Sequence, residues 1–459
     1  MILEKCMLDF TELLRTIADK LHYKTSSFLI IFFICMIPRV ILQITNEGFN
    51  DDHITPVLLW QDKSEYPLTE DCKECFQPPL FYWIIKAVAA PFQATTWDGI
   101  FTVIQFVNFF FVSGILWLVL RLIESLHFSK WLRISTMLFW GTNPELISIG
   151  SLASNDTILI FAGLLISYLI GKYWQNPKLK YEFAIIIMLV LSGIIKGNGL
   201  VFVIILAVVF ILSLLRDKKF SALKLGRQSM WLIVLLLGIG YFGNFFEKQE
   251  RHGYAFTTNQ IMPNPPNFFT EDTIYASRKG VTTVFNSFFK LRLGSLLANP
   301  YNTNHLEYDL HRTSLWGQMF GQFSNYLFER YPDSWISPNN DHYFITRINY
   351  IIHLPLFVLL LYGILYSIFV FFKHPFDTNT IHLLFVFAFT GFVVLYTYLY
   401  RDFSYMKVIF LFPALFSIIT IFGSTIKRIP FQKGIIFLLF SATLLYQINF
   451  IYLIRVLIK

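Results

Sequence analysis

The chain has 459 residues, of which 55% are hydrophobic and 14% are charged. No soluble domain of this length needs so many apolar runs of about 18 residues or more, so the composition indicates a polytopic membrane protein. The net charge of +8 does not indicate a nucleic-acid partner, because the basic residues are scattered in short loops between apolar runs. They are typical of topology signals instead.

The amino-terminal third sets the predicted orientation. Residues 1–26 are mixed polar and precede a full-length apolar run at 27–45, which predicts a cytoplasmic arm followed by a retained signal anchor. The next segment, 46–77, contains eight acidic residues against Lys63 and Lys73, so it should face the lumen or periplasm. The run 78–92 would reach only about 22 Å as a helix, too short for the hydrocarbon core, and is predicted to be interfacial or re-entrant.

The rest of the chain alternates between apolar runs and short loops, apart from one long polar segment. The segment 248–346 is aromatic and rich in proline, and we expect a functional lid or a small outer domain there. The fold class is therefore all-α and polytopic, with about eleven transmembrane helices, although the short pair on either side of Gly197 could be one broken helix. After the span at 27–45, the predicted spans are 98–120, 132–150, 156–171, 181–195, 198–215, 229–247, 347–372, 379–400, 404–423 and 434–455.

The most informative stretch follows the first span. It places Asp51 and Asp52 side by side where that helix should leave the bilayer, and it closes with Pro-Pro-Leu-Phe-Tyr-Trp at 78–83. Carboxylates held above an apolar cavity are suited to general acid and base chemistry, whereas an acidic pair in a solvated loop has no such role. We interpret 46–92 as an active-site loop, with His53, Gln77 and Tyr82 as candidate substrate-binding residues.

This stretch resembles the GT-C superfamily of membrane glycosyltransferases, which includes the protein O-mannosyltransferases and aminoarabinose transferases. The resemblance implies a GT-C-like catalytic module at 27–247, followed by the large loop 248–346 and by further transmembrane helices at 347–459. It implies a sugar donor on a polyprenyl or dolichyl phosphate, Asp51 as the catalytic base and Asp52 as its acidic neighbour. The residue before the Pro-Pro pair is often His or an acid in that family, but here it is Gln77, which puts a metal site in doubt.

Three further positions could carry chemistry. Asp156 starts a predicted span, where a helix cap is the alternative to a substrate-orienting carboxylate; the resemblance implies the second role. Lys196 and Asn198 lie among glycines between two apolar runs, a pattern that fits either contact with a phosphate or a simple turn with a snorkelling lysine; the resemblance implies the contact with a carrier phosphate. Arg401 follows tyrosines at a predicted outer turn and could bind a phosphate or a sugar carboxylate; the alternatives are pairing with Asp402 and contact with a lipid headgroup.

Weaker signals concern the long loop and the cysteines. His311, Arg312, Trp316 and Gln318 form a cluster that could bind a sugar or anchor the loop at the membrane interface. Cys72 and Cys75 are expected to form a local disulfide or to be free thiols rather than a zinc site, because the second ligand pair is missing. A divalent metal remains possible through Asp51, Asp52 and His53.

Together these features predict a glycosyltransferase that moves a sugar from a polyprenyl- or dolichyl-phosphate carrier to a glycan, lipid or protein acceptor. The expected location is a bacterial inner membrane or the endoplasmic reticulum membrane, with the site on the outer or lumenal face. The alternatives are a polytopic transporter or lipid-linked glycan flippase, and a glycan polymerase or ligase.

Overall fold

The computed structural model describes most of the chain. The described residues are 26–46, 53–63, 66–72, 74–217, 222–253, 283–300, 310–325, 341–400 and 406–457. Within these ranges the secondary structure is helical and contains no β-strand. This confirms the expectation of an all-α protein.

The first ten helices, α1–α10, form the amino-terminal part of the bundle. Short 3-10 turns at Ala90–Phe92 and Gly197–Leu200 follow α3 and precede α9. In chain order the helices are Ser26–Thr45, Ile54–Lys63, Leu80–Ala89, Trp97–Ser125, Lys130–Gly141, Pro144–Ser148, Asp156–Gln175, Leu179–Ile195, Val201–Arg216 and Ala222–Phe242.

The remaining helices, α11–α18, include four short ones before the last long helices. Further 3-10 turns at Leu310–Thr313 and Val408–Ala414 precede α14 and α17. In chain order these helices are Phe245–His252, Val284–Phe289, Leu293–Ala298, Leu315–Ser324, Asp341–Lys373, Thr378–Tyr400, Leu415–Arg428 and Gln432–Leu457.

Nine helical segments in the described part are long and apolar enough to cross a membrane. The protein is therefore a multi-pass integral membrane protein by helix length and composition. Two of the eleven predicted spans are not among these nine segments. Helix α8 has only 17 residues, and the predicted span 132–150 is divided into α5 and α6. The run at 78–92 forms only the ten-residue α3 and a 3-10 turn, in keeping with its predicted shortness.

Local chemistry explains where two predicted spans break. Between α5 and α6 the Asn143 side chain accepts a hydrogen bond from the Leu146 amide, and Pro144 occupies the first helical position, where its missing N–H costs nothing. The predicted span 229–247 ends at Phe242 because Asn244 adopts a left-handed conformation, with φ of 59°.

The two ends of the bundle differ in chemistry. At one end the Arg227 guanidinium pairs with Glu182, and Arg216 donates to the Trp174 carbonyl, which ties the adjoining loops together. Lys224 pairs with Asp217 beside these contacts, and we call this end the basic end. At the other end the Asn46 side chain donates to the Ser151 carbonyl, and the Lys196 ammonium donates to the Asp156 carboxylate. We call this the site end, because it carries most of the described site residues predicted from the sequence.

Candidate functional site

The end of the first long helix is fixed at the site end. The Asn46 side chain donates to the Ser151 carbonyl over 2.9 Å, and Gln105 of α4 donates to the carbonyls of both Asn46 and Ser151. All three side chains are buried. The chain therefore enters the segment that carries Asp51 and Asp52 from an anchored position beside the turn that leads to Asp156.

The turn before Asp156 is held from the same helix. Asn108, one turn beyond Gln105 on α4, donates to the carbonyls of Leu152 and Ser154 over 2.7 and 2.8 Å. Polar residues at positions i and i+3 of an apolar helix lie on one face, and here that face holds the backbone of the turn. The spacing of Gln105 and Asn108 was a sequence signal for this contact.

The centre of the site is a buried ion pair between Asp156 and Lys196. The Lys196 Nζ donates to Asp156 Oδ1 over 2.7 Å, and Ser154 Oγ donates to the other carboxylate oxygen over 3.0 Å. The lysine and aspartate side chains are 7% and 4% exposed. Asp156 and Lys196, which the sequence suggested for separate roles, therefore occupy one site. No side-chain capping bond forms at the start of α7.

Close backbone packing holds Lys196 in this position. Lys196 has an extended backbone between α8 and the turn Gly197–Leu200, so the predicted break in the helix at this point is present. A side chain at Gly199 would meet the Gly193 nitrogen at 2.9 Å, which explains the need for glycine. The Phe410 ring covers Lys196, with its centroid 5.5 Å from Nζ. Asn198 is buried in the same turn.

Two buried amides, Asn155 beside this ion pair and Gln318 of α14, lack hydrogen-bond partners within the described residues. Asn155, directly before Asp156, is fully buried, and neither of its amide atoms is bonded within the described residues. Gln318 of α14 is in the same state. It lies one turn from Gln322, whose side chain accepts from the Val408 amide, so both face the 3-10 segment that carries Phe410.

Buried amides are normally paired, and an unpaired one typically costs about 1–3 kcal/mol. Asn155 therefore offers unused donors and acceptors directly beside the charged centre, and Gln318 offers them on the helix face toward the segment that carries Phe410. Sequence reasoning had considered Gln318 but not Asn155, whose burial depends on the folded turn.

The active-site loop predicted at 46–92 brings its described candidates together. His53 Nδ1 and the Tyr82 hydroxyl are 2.8 Å apart, and both residues are buried. Gln77 donates to the Glu74 carboxylate over 3.1 Å, while its carbonyl accepts from the Tyr66 hydroxyl. Burial raises the pKa of Tyr66, so this hydroxyl stays a donor at ordinary pH.

A disulfide joins Cys72 and Cys75 within this loop, with their Cα atoms 5.1 Å apart. It is one of the two alternatives expected from the sequence. Both cysteines are buried. The disulfide thus closes the part of the loop that leads to Gln77.

In the cluster predicted in the long loop, His311, Arg312 and Gln318 are buried and Trp316 is partly buried. Trp316 donates its indole N–H to the Phe288 carbonyl over 2.9 Å. Burial, with a smaller contribution from the neighbouring Arg312, lowers the pKa of His311 to about 3. His311 is therefore neutral at physiological pH and would act as a hydrogen-bonding group, not as a cation.

Three predicted site residues, Asp51, Asp52 and Arg401, lie outside the described residues. Their roles stay predictions. Across the described ranges there is no cluster of three or more His, Cys, Asp or Glu side chains that could hold a metal ion. A divalent metal is therefore not assigned.

Comparison of the sequence with models of known protein families gives no match, and comparison with curated proteins gives none either. The described geometry thus defines a class, a multi-pass helical membrane protein with a buried charged site at one end of its bundle.

Proposed function

We propose that this protein is a glycosyltransferase that moves a sugar from a polyprenyl- or dolichyl-phosphate carrier to an acceptor. The observation that carries the proposal is the buried pair of Asp156 and Lys196 at the end of the bundle. A buried charge pair is weak evidence for stability but common at sites that bind charged substrates within membranes. A lipid phosphate would bring its negative charge to this depth with the sugar at the membrane surface.

In this proposal Lys196 changes partner when the donor binds. The oxygens of a phosphate diester can accept hydrogen bonds from the Lys196 ammonium, so the donor competes with Asp156. Asp156 is then released to orient the acceptor or a sugar hydroxyl, which agrees with the role that the family resemblance implies. Because both side chains are almost fully buried, bulk water cannot replace the partner that each loses, and donor binding and carboxylate release are coupled.

The general base in this proposal is Asp51. The segment 47–52 joins Asn46, which is bonded to the Ser151 carbonyl, to His53, which is bonded to Tyr82. Both flanking residues thus belong to the anchored site end, which supports a role for Asp51 beside the donor. Asp52, as the neighbouring carboxylate, would affect the charge and hydration of Asp51.

The reaction follows from these roles. The acceptor hydroxyl or amine attacks the anomeric carbon and loses its proton to Asp51, while the bond between that carbon and the phosphate oxygen breaks. Lys196, assisted by Arg401, stabilises the charge on the departing lipid phosphate. A single displacement inverts the anomeric centre.

The neutral amides of Asn155 and Gln318 are suited to the sugar. Each offers both N–H donors and an oxygen acceptor, and a sugar hydroxyl needs both. The charged pair would take the phosphate, and the amides would take hydroxyls.

The test is transfer of radiolabelled sugar by the purified protein from a panel of polyprenyl- and dolichyl-phosphate sugars. Asp51→Asn should abolish transfer, because the amide keeps the shape but cannot accept a proton. Asp62→Asn, an exposed aspartate in the same predicted loop, is the matched control and should stay active. Full activity of Asp51→Asn would refute the assignment of the base.

One observation favours the transporter alternative. Within the bundle, His353 of α15 bonds to the Tyr446 hydroxyl of α18 over 2.5 Å, and Asn143 donates to the Phe323 carbonyl beside them. Transporters place such polar groups deep in the membrane, and His353 lies about 18 Å along its helix from Asp341. Movement of lipid-linked sugar across reconstituted vesicles, without transfer to any acceptor, would select this alternative.

A further inference from the structure

A second charged site lies apart from the Asp156–Lys196 pair, in a cleft between the disulfide loop and the short helix α11. The cleft encloses about 370 Å³ of space, part of it open to solvent. One wall is formed by 66–69 and Cys75, and the other by Asn244 and the face of α11 that carries Glu247, Lys248, Arg251 and His252. We call it the loop cleft.

Three basic residues of α11 share the face toward this cleft. Lys248, Arg251 and His252 stand at positions i, i+3 and i+4, which are neighbours on a helix surface. Arg251 pairs with Glu247 over 3.0 Å, and His252 lies 3.5 Å from the Glu70 carboxylate.

Lys248 differs from its two neighbours because no carboxylate within the described residues pairs with it. Its residue is only 7% exposed, and its one hydrogen bond is to the Phe76 carbonyl. An ammonium group has three N–H donors, so two of them remain for a ligand in the cleft. Burial lowers the pKa of Lys248 to about 8, against a smaller opposing effect of Glu247. The charged form is therefore poorly solvated.

We propose that the loop cleft binds a phosphate-type oxyanion through the Lys248 ammonium, with Arg251 and His252 as further donors. An oxyanion would complete the hydrogen bonding of Lys248 and compensate its charge, which within the described residues is opposed only by the more distant Glu247 carboxylate and the Phe245 ring. The two glutamates do not prevent this. They are 43–45% exposed, so water screens their charges, and each already faces a basic partner.

The site has a direct consequence for the predicted active-site loop. The Phe76 carbonyl that Lys248 holds directly precedes Gln77, and the disulfide closes the same turn. An anion in the loop cleft would favour the protonated form of Lys248. It would thereby strengthen the hydrogen bond from Lys248 to the Phe76 carbonyl. It would act as an anchor for the loop, separate from the donor phosphate proposed at Lys196.

The experiment measures how fast Lys248 is acylated by a water-soluble amine reagent, with mass spectrometry to locate the label. The purified full chain is placed in nanodiscs of neutral phosphatidylcholine, and inorganic phosphate is added. Phosphate at ten times its dissociation constant should slow labelling of Lys248 about tenfold. The exposed Lys130 at the basic end serves as the internal control and should keep its labelling rate.

Two further arms decide the source and the site. If free phosphate has no effect but nanodiscs with phosphatidylglycerol protect Lys248, the ligand is a lipid headgroup, and the oxyanion site stands. If Lys248 is still protected in the Lys196→Met variant, the protection does not depend on the proposed donor site. The labelling rate can be measured whether or not the protein has transfer activity. Labelling of Lys248 that neither phosphate nor anionic lipid changes would overturn the proposal.

Discussion

The buried pair of Asp156 and Lys196 should be strongly coupled in both stability and ligand binding. Lys196→Met leaves the Asp156 carboxylate, which is 4% exposed, with Ser154 as its side-chain partner. Breaking a buried ion pair by removing one partner typically costs about 3–5 kcal/mol, because the remaining charge is uncompensated. Asp156→Asn should cost a similar amount, because it leaves the buried charge of Lys196 uncompensated.

The double variant should be much less destabilised than the sum of the two single variants. It contains no uncompensated charge, so the coupling free energy should reach about 2–3 kcal/mol. The assay is unfolding by sodium dodecyl sulfate in mixed micelles, followed by circular dichroism. The control is Lys224→Met, which removes one of two basic partners of Asp217 and leaves Arg216; that carboxylate is 43% exposed, so the change should cost less than about 1 kcal/mol.

The same variants test the proposed exchange of partners. If donor phosphate displaces Asp156 from Lys196, polyprenyl phosphate should bind to Asp156→Asn more tightly than to the wild type, by about tenfold for each 1.4 kcal/mol of competition removed. Lys196→Met should lose most of this binding. Equal affinity for the wild type and both variants, together with additive effects on stability, would refute the reasoning for the whole site.

Three other changes have defined outcomes. Gly163→Ala should lower the melting temperature, because the added Cβ would stand 2.8 Å from the Pro413 Cα; Gly171→Ala in the same helix meets nothing within 4 Å and should not lower it. Asn155→Leu removes two unpaired polar atoms and should raise the free energy of unfolding by about 1 kcal/mol while weakening binding of sugar-bearing lipids more than of bare polyprenyl phosphate; equal weakening would argue against sugar contact. Lys248 should make stability rise between about pH 8 and 10.5, by about 3 kcal/mol in total, because the unfolded chain binds more protons in that window. Melting curves across this range should show that slope in the wild type but not in Lys248→Met.

Much of the fold is determined by the sequence alone. Runs of apolar residues of membrane length form helices because every backbone polar group must be bonded within the helix in lipid, so the bounds of α1, α4 and α7 lie within a few residues of their predicted spans, apart from extended carboxyl ends. The break at Thr142 and Asn143 also had a sequence signal in Pro144. The prediction did not use that signal, and a single helix over 132–150 was wrong.

The candidate site was only partly predictable. Asp156 and Lys196 were named for their residue types and positions, but their 2.7 Å contact joins residues 40 positions apart. It exists because α7 and α8 form an antiparallel hairpin of similar lengths, 20 and 17 residues, so that the start of one meets the end of the other. Hydropathy gives the two helices but not which side chains face each other across them.

Tertiary structure alone decided which polar groups lack a partner. Asn155 and Gln318 are ordinary amides in the sequence, and Lys248 is one of many scattered cations. The folded turn before α7 buries Asn155, packing of α14 toward the segment at Val408 buries Gln318, and packing of α11 against the disulfide loop buries Lys248. These contacts do not supply partners for both amides or a paired carboxylate for the lysine within the described residues. Composition determined that the chain crosses a membrane; the positions of unpaired buried polar groups, which depend on contacts between distant segments, were decided only by the folded arrangement.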